Sequence, residues 1–148
     1  MEYKLKKFDL VMETCAEYSI EYPYLNSGHD VFEFCINKLR LHKKINEIFG
    51  LFCVDAKNRV IAYSETGIGS TTSCSVDISS LYRKALIAGA ASIICVHNHP
   101  SGDPTPSEYD ISVTEKIKKA GDLLNLELLD HIVIGDRVYC SMREQGMF

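Results

Sequence analysis

Two histidines and an aspartate in the segment His97–Asp110 have the types and spacing of metal ligands. His97, His99 and Asp110 would supply three protein ligands to a zinc ion and leave its fourth tetrahedral position open to water, which is the arrangement of a catalytic zinc site. Zinc lowers the pKa of its water to about 7 and polarises a carbonyl oxygen. The chemistry that this set favours is therefore hydrolysis.

The elements that carry these residues follow from local patterns. The apolar run 91–96 predicts a buried strand, on whose continuation His97 and His99 share a face. The stretch Thr105-Pro106-Ser107-Glu108 predicts a helix start, with Thr105 as N-cap. Ser107 and Asp110 then lie one turn apart on the same face of that helix.

Other interpretations of the same residues stay open at this point. The histidines could be ordinary loop residues, and Asp110 could be a charge favoured near a helix N-terminus. Asp103 could replace Asp110 as a ligand, although aspartate is common in a Gly-Asp-Pro turn for conformational reasons. Histidine and carboxylate ligands suit zinc and do not exclude iron, cobalt or manganese.

The pattern His-x-His, seven residues, Ser, two residues, Asp resembles the JAMM motif of MPN-domain metallopeptidases. Two segments are similar in sequence to RadC-like proteins, namely 97–104 and Leu129-Asp130-His131-Ile132-Val133-Ile134-Gly135. The resemblance covers 27–148. Residues 1–26 are interpreted as an N-terminal extension of the same domain. The helix-hairpin-helix segment that precedes the domain in longer RadC proteins is not expected here.

The resemblance implies a fold, a cofactor and further site residues. The fold is α/β, a single MPN/JAMM-type domain with a curved mixed sheet flanked by helices and an architecture like that of cytidine deaminases. The cofactor is one Zn²⁺ per chain, and the activity is a metallopeptidase or isopeptidase acting on a protein or peptide. Glu47 is the expected general base, with Glu33 and Glu65 as fallbacks. Ser107 is expected to stabilise the oxyanion.

Three alternative functions remain. The historical repair label of the family suggests a nucleic-acid-binding protein or nuclease, but a formal charge of −4 gives no bulk attraction to nucleic acid. Two basic clusters, near residues 38–44 and 116–119, are interpreted as solvated helix faces. A non-catalytic MPN binding module is the second alternative. The third alternative is a zinc deaminase, but this chain lacks the His-x-Glu and Pro-Cys-x-x-Cys signature of those enzymes.

Cysteine usage and hydropathy predict a cytoplasmic protein. The six cysteines form no Cys-x-x-Cys pair, and several lie in apolar runs, which is typical of buried free thiols in a reducing compartment. No apolar run approaches the about 20 residues of a membrane span, and the N-terminus lacks a signal-peptide pattern. The sequence does not indicate whether the chain self-associates.

The remaining elements are predicted from periodicity and turn residues. We expect a strand over 3–12, a helix over 30–39, and a hairpin of strands 48–54 and 60–63. A mobile loop over 66–73 would precede a helix capped by Ser79 or Ser80. Strand segments at 126–129 and 132–134 would lead into a terminal hairpin at 137–141. Asp130 and His131, between these segments, could support the site from behind its ligands or could simply cap a strand, and the strand cap is the favoured interpretation.

Overall fold

Two apolar segments form neighbouring strands at the centre of a five-stranded sheet. Residues 48–54 and 92–98 are buried at every position, which is expected for strands covered on both faces. This computed structural model describes residues 4, 7, 12–21, 23–69 and 75–148. Helices on both sides of the sheet complete the fold.

The sheet is mixed. Its strands are β1 (Ile48–Val54), β2 (Val60–Ile68), β3 (Ser92–Asn98), β4 (Glu127–Ile134) and β5 (Tyr139–Ser141), in the order β2-β1-β3-β4-β5. β1 is antiparallel to β2 and β3, β4 is parallel to β3, and β5 returns antiparallel to β4. A parallel pair needs a crossover connection, and a long helix between β3 and β4 provides it.

The helices divide between the two faces. They are α1 (Gly28–Phe34), continued by a π-helical turn (Cys35–Leu39) and a 3-10 turn (Leu41–Lys43), then α2 (Ile78–Ile87) and α3 (Glu108–Leu124). α2 and α3 pack with alternate sheet residues, among them Phe49, Leu51, Ile93 and Cys95. α1 packs with the intervening set, which includes Ile48, Phe52, Ile94 and Val96.

This alternation decides where the histidines face. Side chains on one strand alternate between the faces of the sheet. His97 therefore lies on the side of Ile93 and Cys95, beneath α2 and α3. The beginning of α3 is on the same side, so one end of β3 and one end of α3 can contribute to a common site.

Several predicted boundaries differ from the structure. β2 continues through Ile68, so residues 66–68 of the predicted loop belong to a strand, while 70–73 lie outside the described residues. Asp77, rather than Ser79 or Ser80, caps α2, because its carboxylate accepts the backbone N–H groups of both serines. The two strand segments predicted at 126–129 and 132–134 are one strand, β4, with Asp130 and His131 inside it.

The helix predicted over 30–39 begins two residues earlier, where Ser27 forms a capping box with Asp30. Most of the predicted strand 3–12 lies outside the described residues. Tyr24 forms a bridge with Arg59, so the chain before α1 contacts the sheet edge. The boundary between the extension 1–26 and the domain remains a prediction.

The predicted fold class is confirmed, since the chain forms one mixed α/β domain with helices flanking a five-stranded mixed sheet. Cys35, Cys53 and Cys95 are buried free thiols, as expected, whereas Cys15 is exposed. Burial raises the pKa of Cys53 to about 11. In the described part of the chain, no helix is long and apolar enough to cross a bilayer.

Candidate metal centre

The four side chains that could bind or serve a metal come from three elements that meet at one end of the sheet. His97 is in β3 and His99 follows the end of that strand, while Asp110 is in the first turn of α3. Glu47 directly precedes β1. Because β1 and β3 are antiparallel, with Phe49 opposite His97, the start of β1 lies beside the end of β3.

The ligand atoms of these side chains converge. His97 Nε2 lies 2.9 Å from His99 Nε2 and 3.3 Å from Asp110 Oδ1, and His99 Nε2 lies 3.3 Å from Asp110 Oδ2. One ligand atom from each of these residues and one from Glu47 all lie within 4.8 Å of one another. His97 is fully buried, and Glu47 and Asp110 are only 8% and 4% exposed.

These atoms fit a zinc ion in kind and in spacing. Ligand atoms bound at about 2.0–2.1 Å to a tetrahedral ion are about 3.3 Å apart, close to the 2.9 and 3.3 Å separations of the two imidazole nitrogens and the carboxylate. Two histidines and one carboxylate leave a position for water. No second group of this kind occurs among residues 12–21, 23–69 and 75–148.

Ser107, not Thr105, is the N-cap of α3, which corrects the predicted helix start. Ser107 Oγ accepts the N–H of Asp110 at 3.1 Å, and Asp110 Oδ2 accepts the N–H of Ser107 at 2.7 Å. This reciprocal capping box satisfies two helix-end donors, whereas the Thr105 hydroxyl donates to Asp103 Oδ1. The cap fixes the Asp110 carboxylate in the position from which it faces both histidines.

The Asp103 side chain is not part of the group that could bind a metal. Its carboxylate accepts the N–H and the hydroxyl of Thr105 at 2.9 and 2.7 Å. The backbone carbonyl of Asp103 instead lies 2.8 Å from His99 Nδ1. A carbonyl can only accept, so His99 carries its proton at Nδ1 and its Nε2 is left as the ligand atom.

Glu47 is held in place through its neighbours by Asn98, the residue between the two histidines. The Asn98 side chain accepts the N–H of Ile48 at 2.7 Å and donates to the carbonyl of Asn46 at 3.1 Å. The carbonyl of Glu47 also accepts the N–H of Gly69 at 2.8 Å. These bonds tie the strand that carries the histidines to the residues on both sides of Glu47.

The fallback glutamates lie elsewhere. Glu33 is on α1, where it accepts a hydrogen bond from Asn37 at 2.8 Å. Glu65 is an exposed residue of β2, paired with Gly50. Neither residue belongs to the group that converges with His97. Glu47 is therefore the glutamate whose location matches the role expected of a base.

A second layer of side chains lies behind His97. His97 Nδ1 is 2.8 Å from His131 Nε2, and His131 Nδ1 is 2.6 Å from Thr114 Oγ1. The ring of Phe49 stacks on His97 at a centroid distance of 5.8 Å and an angle of 10°. The favoured interpretation of His131 as a strand cap is wrong, because His131 lies inside β4. Its ring contacts a candidate metal ligand, as the alternative interpretation expected.

The pKa values of the acidic and basic side chains at the site are shifted in different directions. Burial raises the pKa of Glu47, and the nearby His97 and His99 offset this only in part. Burial also acts to raise the pKa of Asp110, but the neighbouring His97 and His99 outweigh this effect and hold the pKa well below the usual range. The bond to Asp110 in turn raises the pKa of His99. Burial lowers the pKa of His131 well below its ordinary value.

A cavity of about 550 Å³ lies away from the converging side chains and is lined by residues that include Leu25, Val54, Ile94 and Arg143. None of the four candidate metal-site residues lines it. The candidate site is therefore located by the side chains whose ligand atoms lie close together, and not by the size of a cavity.

Sequence reasoning missed three residues that support the site. The sequence pattern did not indicate a role for Asn98 or Phe49, because both roles depend on the pairing between β1 and β3. Thr114 had one available signal, since it lies four residues after Asp110 on the same helix face. Its hydroxyl donates to the Asp110 carbonyl at 2.5 Å.

Comparisons with known proteins identify the family of this chain. A family model described as the RadC-like JAB domain matches residues 25–147. A UPF0758 protein of Methanosarcina barkeri is 42% identical over 120 residues, which are 81% of this chain and 52% of that protein. A UPF0758 protein of Shouchella clausii is 40% identical over 126 residues, 85% of this chain and 54% of that protein.

A third UPF0758 protein, from Thermotoga maritima, is 38% identical over 122 residues, 82% of this chain and 54% of that protein. The chain thus spans about half the length of the curated relatives it matches. The family match covers most of the chain and includes every residue of the candidate metal centre. The chain belongs to the RadC-like JAB domain family.

Proposed function

We propose that this chain is a zinc-dependent hydrolase of amide bonds, a peptidase or isopeptidase that uses water as the nucleophile. The observation that carries the proposal is the convergence of two imidazole nitrogens, one carboxylate and a buried glutamate within 4.8 Å. Membership of a JAB-domain family supports hydrolase chemistry. Bound zinc would supply a Lewis acid that activates water at neutral pH and polarises the scissile carbonyl.

In this proposal His97, His99 and Asp110 hold one zinc ion per chain, and Glu47 moves protons. The Glu47 carboxylate accepts a proton from the attacking water and delivers it to the departing amine nitrogen. General bases work best when their pKa lies near the operating pH. Burial shifts the pKa of Glu47 upward, toward that range.

Ser107 is proposed to bind the oxygen on which negative charge develops. Its Oγ accepts the Asp110 N–H, and that bond does not use the hydroxyl proton. The proton can therefore be donated to the developing oxyanion, an interaction that strengthens in the transition state. The capping box holds Ser107 next to the Asp110 oxygen that faces His99.

We favour a protein or peptide substrate over a nucleic acid. The formal charge of −4 provides no general attraction to phosphate. Within the basic cluster of α3, Lys118 pairs with Asp122 at 3.3 Å on an exposed face, which supports a solvated surface. A protein tail or an isopeptide-linked conjugate has the amide bond that the proposed chemistry requires.

The test is hydrolysis of peptide and isopeptide-conjugate libraries by zinc-loaded protein, read by mass spectrometry. Wild type should cleave at least one member, and Glu47→Gln should not, although it binds zinc. Glu33→Gln and Glu65→Gln are matched controls and should keep activity. Failure of zinc-loaded wild type on every library member would overturn the proposal, and loss of activity in a control alone would overturn the role of Glu47.

A further inference from the structure

A row of buried hydrogen bonds continues from His97 away from the proposed zinc site. His97 Nδ1 lies 2.8 Å from His131 Nε2, His131 Nδ1 lies 2.6 Å from Thr114 Oγ1, and Thr114 Oγ1 lies 2.5 Å from the backbone carbonyl of Asp110. His97, His131 and Thr114 are completely buried. The proposed mechanism uses neither His131 nor Thr114.

The direction of each bond follows from the end of the row. A carbonyl oxygen has no proton, so the Thr114 hydroxyl must donate to the Asp110 carbonyl. The sulfur of Met142 is a more distant neighbour of that hydroxyl, at 3.6 Å. Because the hydroxyl proton is already used, Thr114 Oγ1 accepts from His131, whose proton is then at Nδ1.

The position of the proton on His97 follows from that on His131. A fully buried imidazole that contacts a neutral hydroxyl and another imidazole stays neutral, because an unpaired charge in that location would be costly. A neutral His131 with its proton at Nδ1 can only accept at Nε2. His97 must therefore donate from Nδ1, and the Nε2 lone pair points toward His99 and Asp110.

We propose that His131, oriented by Thr114, is a positioning residue that holds His97 in the tautomer whose Nε2 can bind zinc. The inference rests on the proposed zinc site. Ligating histidines commonly donate their second N–H to a carboxylate, a carbonyl or water, and loss of such a partner weakens metal binding 10- to 100-fold. Here the acceptor is a neutral histidine, which adds no buried negative charge. The stacked Phe49 ring restricts His97 further.

The test combines two measurements on the purified full chain. Long-range ¹H–¹⁵N NMR of the zinc-free protein reports which ring nitrogen of each histidine carries the proton. Competition with a chromophoric chelator gives the zinc Kd. His131→Phe keeps a buried ring without hydrogen bonds, and His131→Gln places an amide oxygen near the position of Nε2. Met142→Leu is the matched control, since Met142 contacts Thr114 but offers no bond to an imidazole.

We expect Nδ1–H tautomers at both His97 and His131 in wild type. His131→Phe should weaken the zinc Kd by about 10- to 100-fold, His131→Gln should recover most of the affinity, and Met142→Leu should bind zinc like wild type. A merely structural role would lower Tm in His131→Phe but leave the zinc Kd of the folded protein unchanged. That result, or an Nε2–H tautomer at His97 in wild type, would overturn the inference.

A second variant covers the case in which His131→Phe does not fold. Thr114→Val removes the hydroxyl that accepts from His131, so His97 should no longer show a single tautomer and zinc should bind more weakly. An unchanged tautomer and Kd in Thr114→Val would overturn the inference. A wild-type protein with the Nδ1–H tautomer that binds no zinc would refute the proposed function and leave the hydrogen-bond direction supported.

Discussion

Replacement of Asp110 by asparagine should abolish tight zinc binding and leave helix α3 intact. Asp110 Oδ2 accepts the N–H of Ser107 at 2.7 Å and faces His99 Nε2 at 3.3 Å. The asparagine carbonyl can still accept from Ser107, but the side chain offers no negative charge to a divalent cation. Asp110→Ala loses both the ligand and the cap, so the pair of variants separates the two roles.

The size of the effect can be worked out from general magnitudes. Loss of a partner behind a metal ligand weakens binding about 10- to 100-fold, so loss of the ligand itself should cost at least about 100-fold. Zinc at about 100 times the wild-type Kd stabilises the folded state by about 2.7 kcal/mol, or about 5–10 °C in Tm. The same concentration would stabilise Asp110→Asn by about 0.4 kcal/mol, or about 1 °C.

The assay is thermal unfolding of metal-stripped protein with and without zinc. Without zinc, Asp110→Ala should melt about 3 °C below Asp110→Asn, because it lacks a hydrogen bond of about 1 kcal/mol. Asp122→Asn, a change of an exposed acid on the same helix, should respond to zinc like wild type. An equal zinc-induced rise in wild type and Asp110→Asn would refute the assignment of Asp110 as a ligand.

Three further predictions concern pH, catalysis and packing. In the metal-free protein the pKa of Asp110 is lowered from 3.8 and that of His99 is raised from 6.5. The interaction between Asp110 and His99 therefore contributes its full stabilisation between pH 3.8 and pH 6.5. The free energy of unfolding, measured in urea, should decrease as the pH falls below 3.8, and it should also decrease as the pH rises through the folded pKa of His99. A free energy of unfolding that does not change with pH would contradict this prediction. Ser107→Ala should lower kcat about 100- to 1,000-fold, with a zinc Kd close to that of wild type because alanine keeps the backbone N–H that Asp110 Oδ2 accepts. Ser107→Thr should restore kcat, and an unaffected kcat in Ser107→Ala would argue against the oxyanion role. Gly121→Ala should cost about 1–3 kcal/mol in urea unfolding, since its Cβ would collide with the Leu126 carbonyl; wild-type stability would show that the collision relaxes freely.

The part of the site that could be predicted from the sequence is the part built from short-range periodicity. His97 and His99 share a face because strand side chains alternate, and Asp110 lies in the first turn of a helix whose start is marked by prolines and a serine. The N-cap residues of the helices were harder to predict from the sequence. Thr105 and Ser107 both suit an N-cap, and the reciprocal bond between Ser107 and Asp110 decides in favour of Ser107. Asp77 likewise caps α2, because its carboxylate reaches two N–H groups at once.

The remaining contacts join residues that are far apart in the chain. His131 lies 34 residues from His97, and Asn98 lies 50 residues from the Ile48 N–H that it accepts. These residues come into contact only when β3 has paired with β1 and β4. A single sequence carries no periodic signal for such pairs. For this reason Glu47 could be assigned from resemblance, but the bonds that position it could not be predicted.

The most direct test of the central claim is amide hydrolysis in water enriched in ¹⁸O, followed by mass spectrometry of the products. Zinc-loaded wild type is incubated with the peptide and isopeptide libraries, and the new carboxyl ends are analysed. We expect one ¹⁸O atom in the new carboxyl group of each cleaved member, and no product with Glu47→Gln. Zinc-loaded wild type that yields no ¹⁸O-labelled product from either library would contradict it.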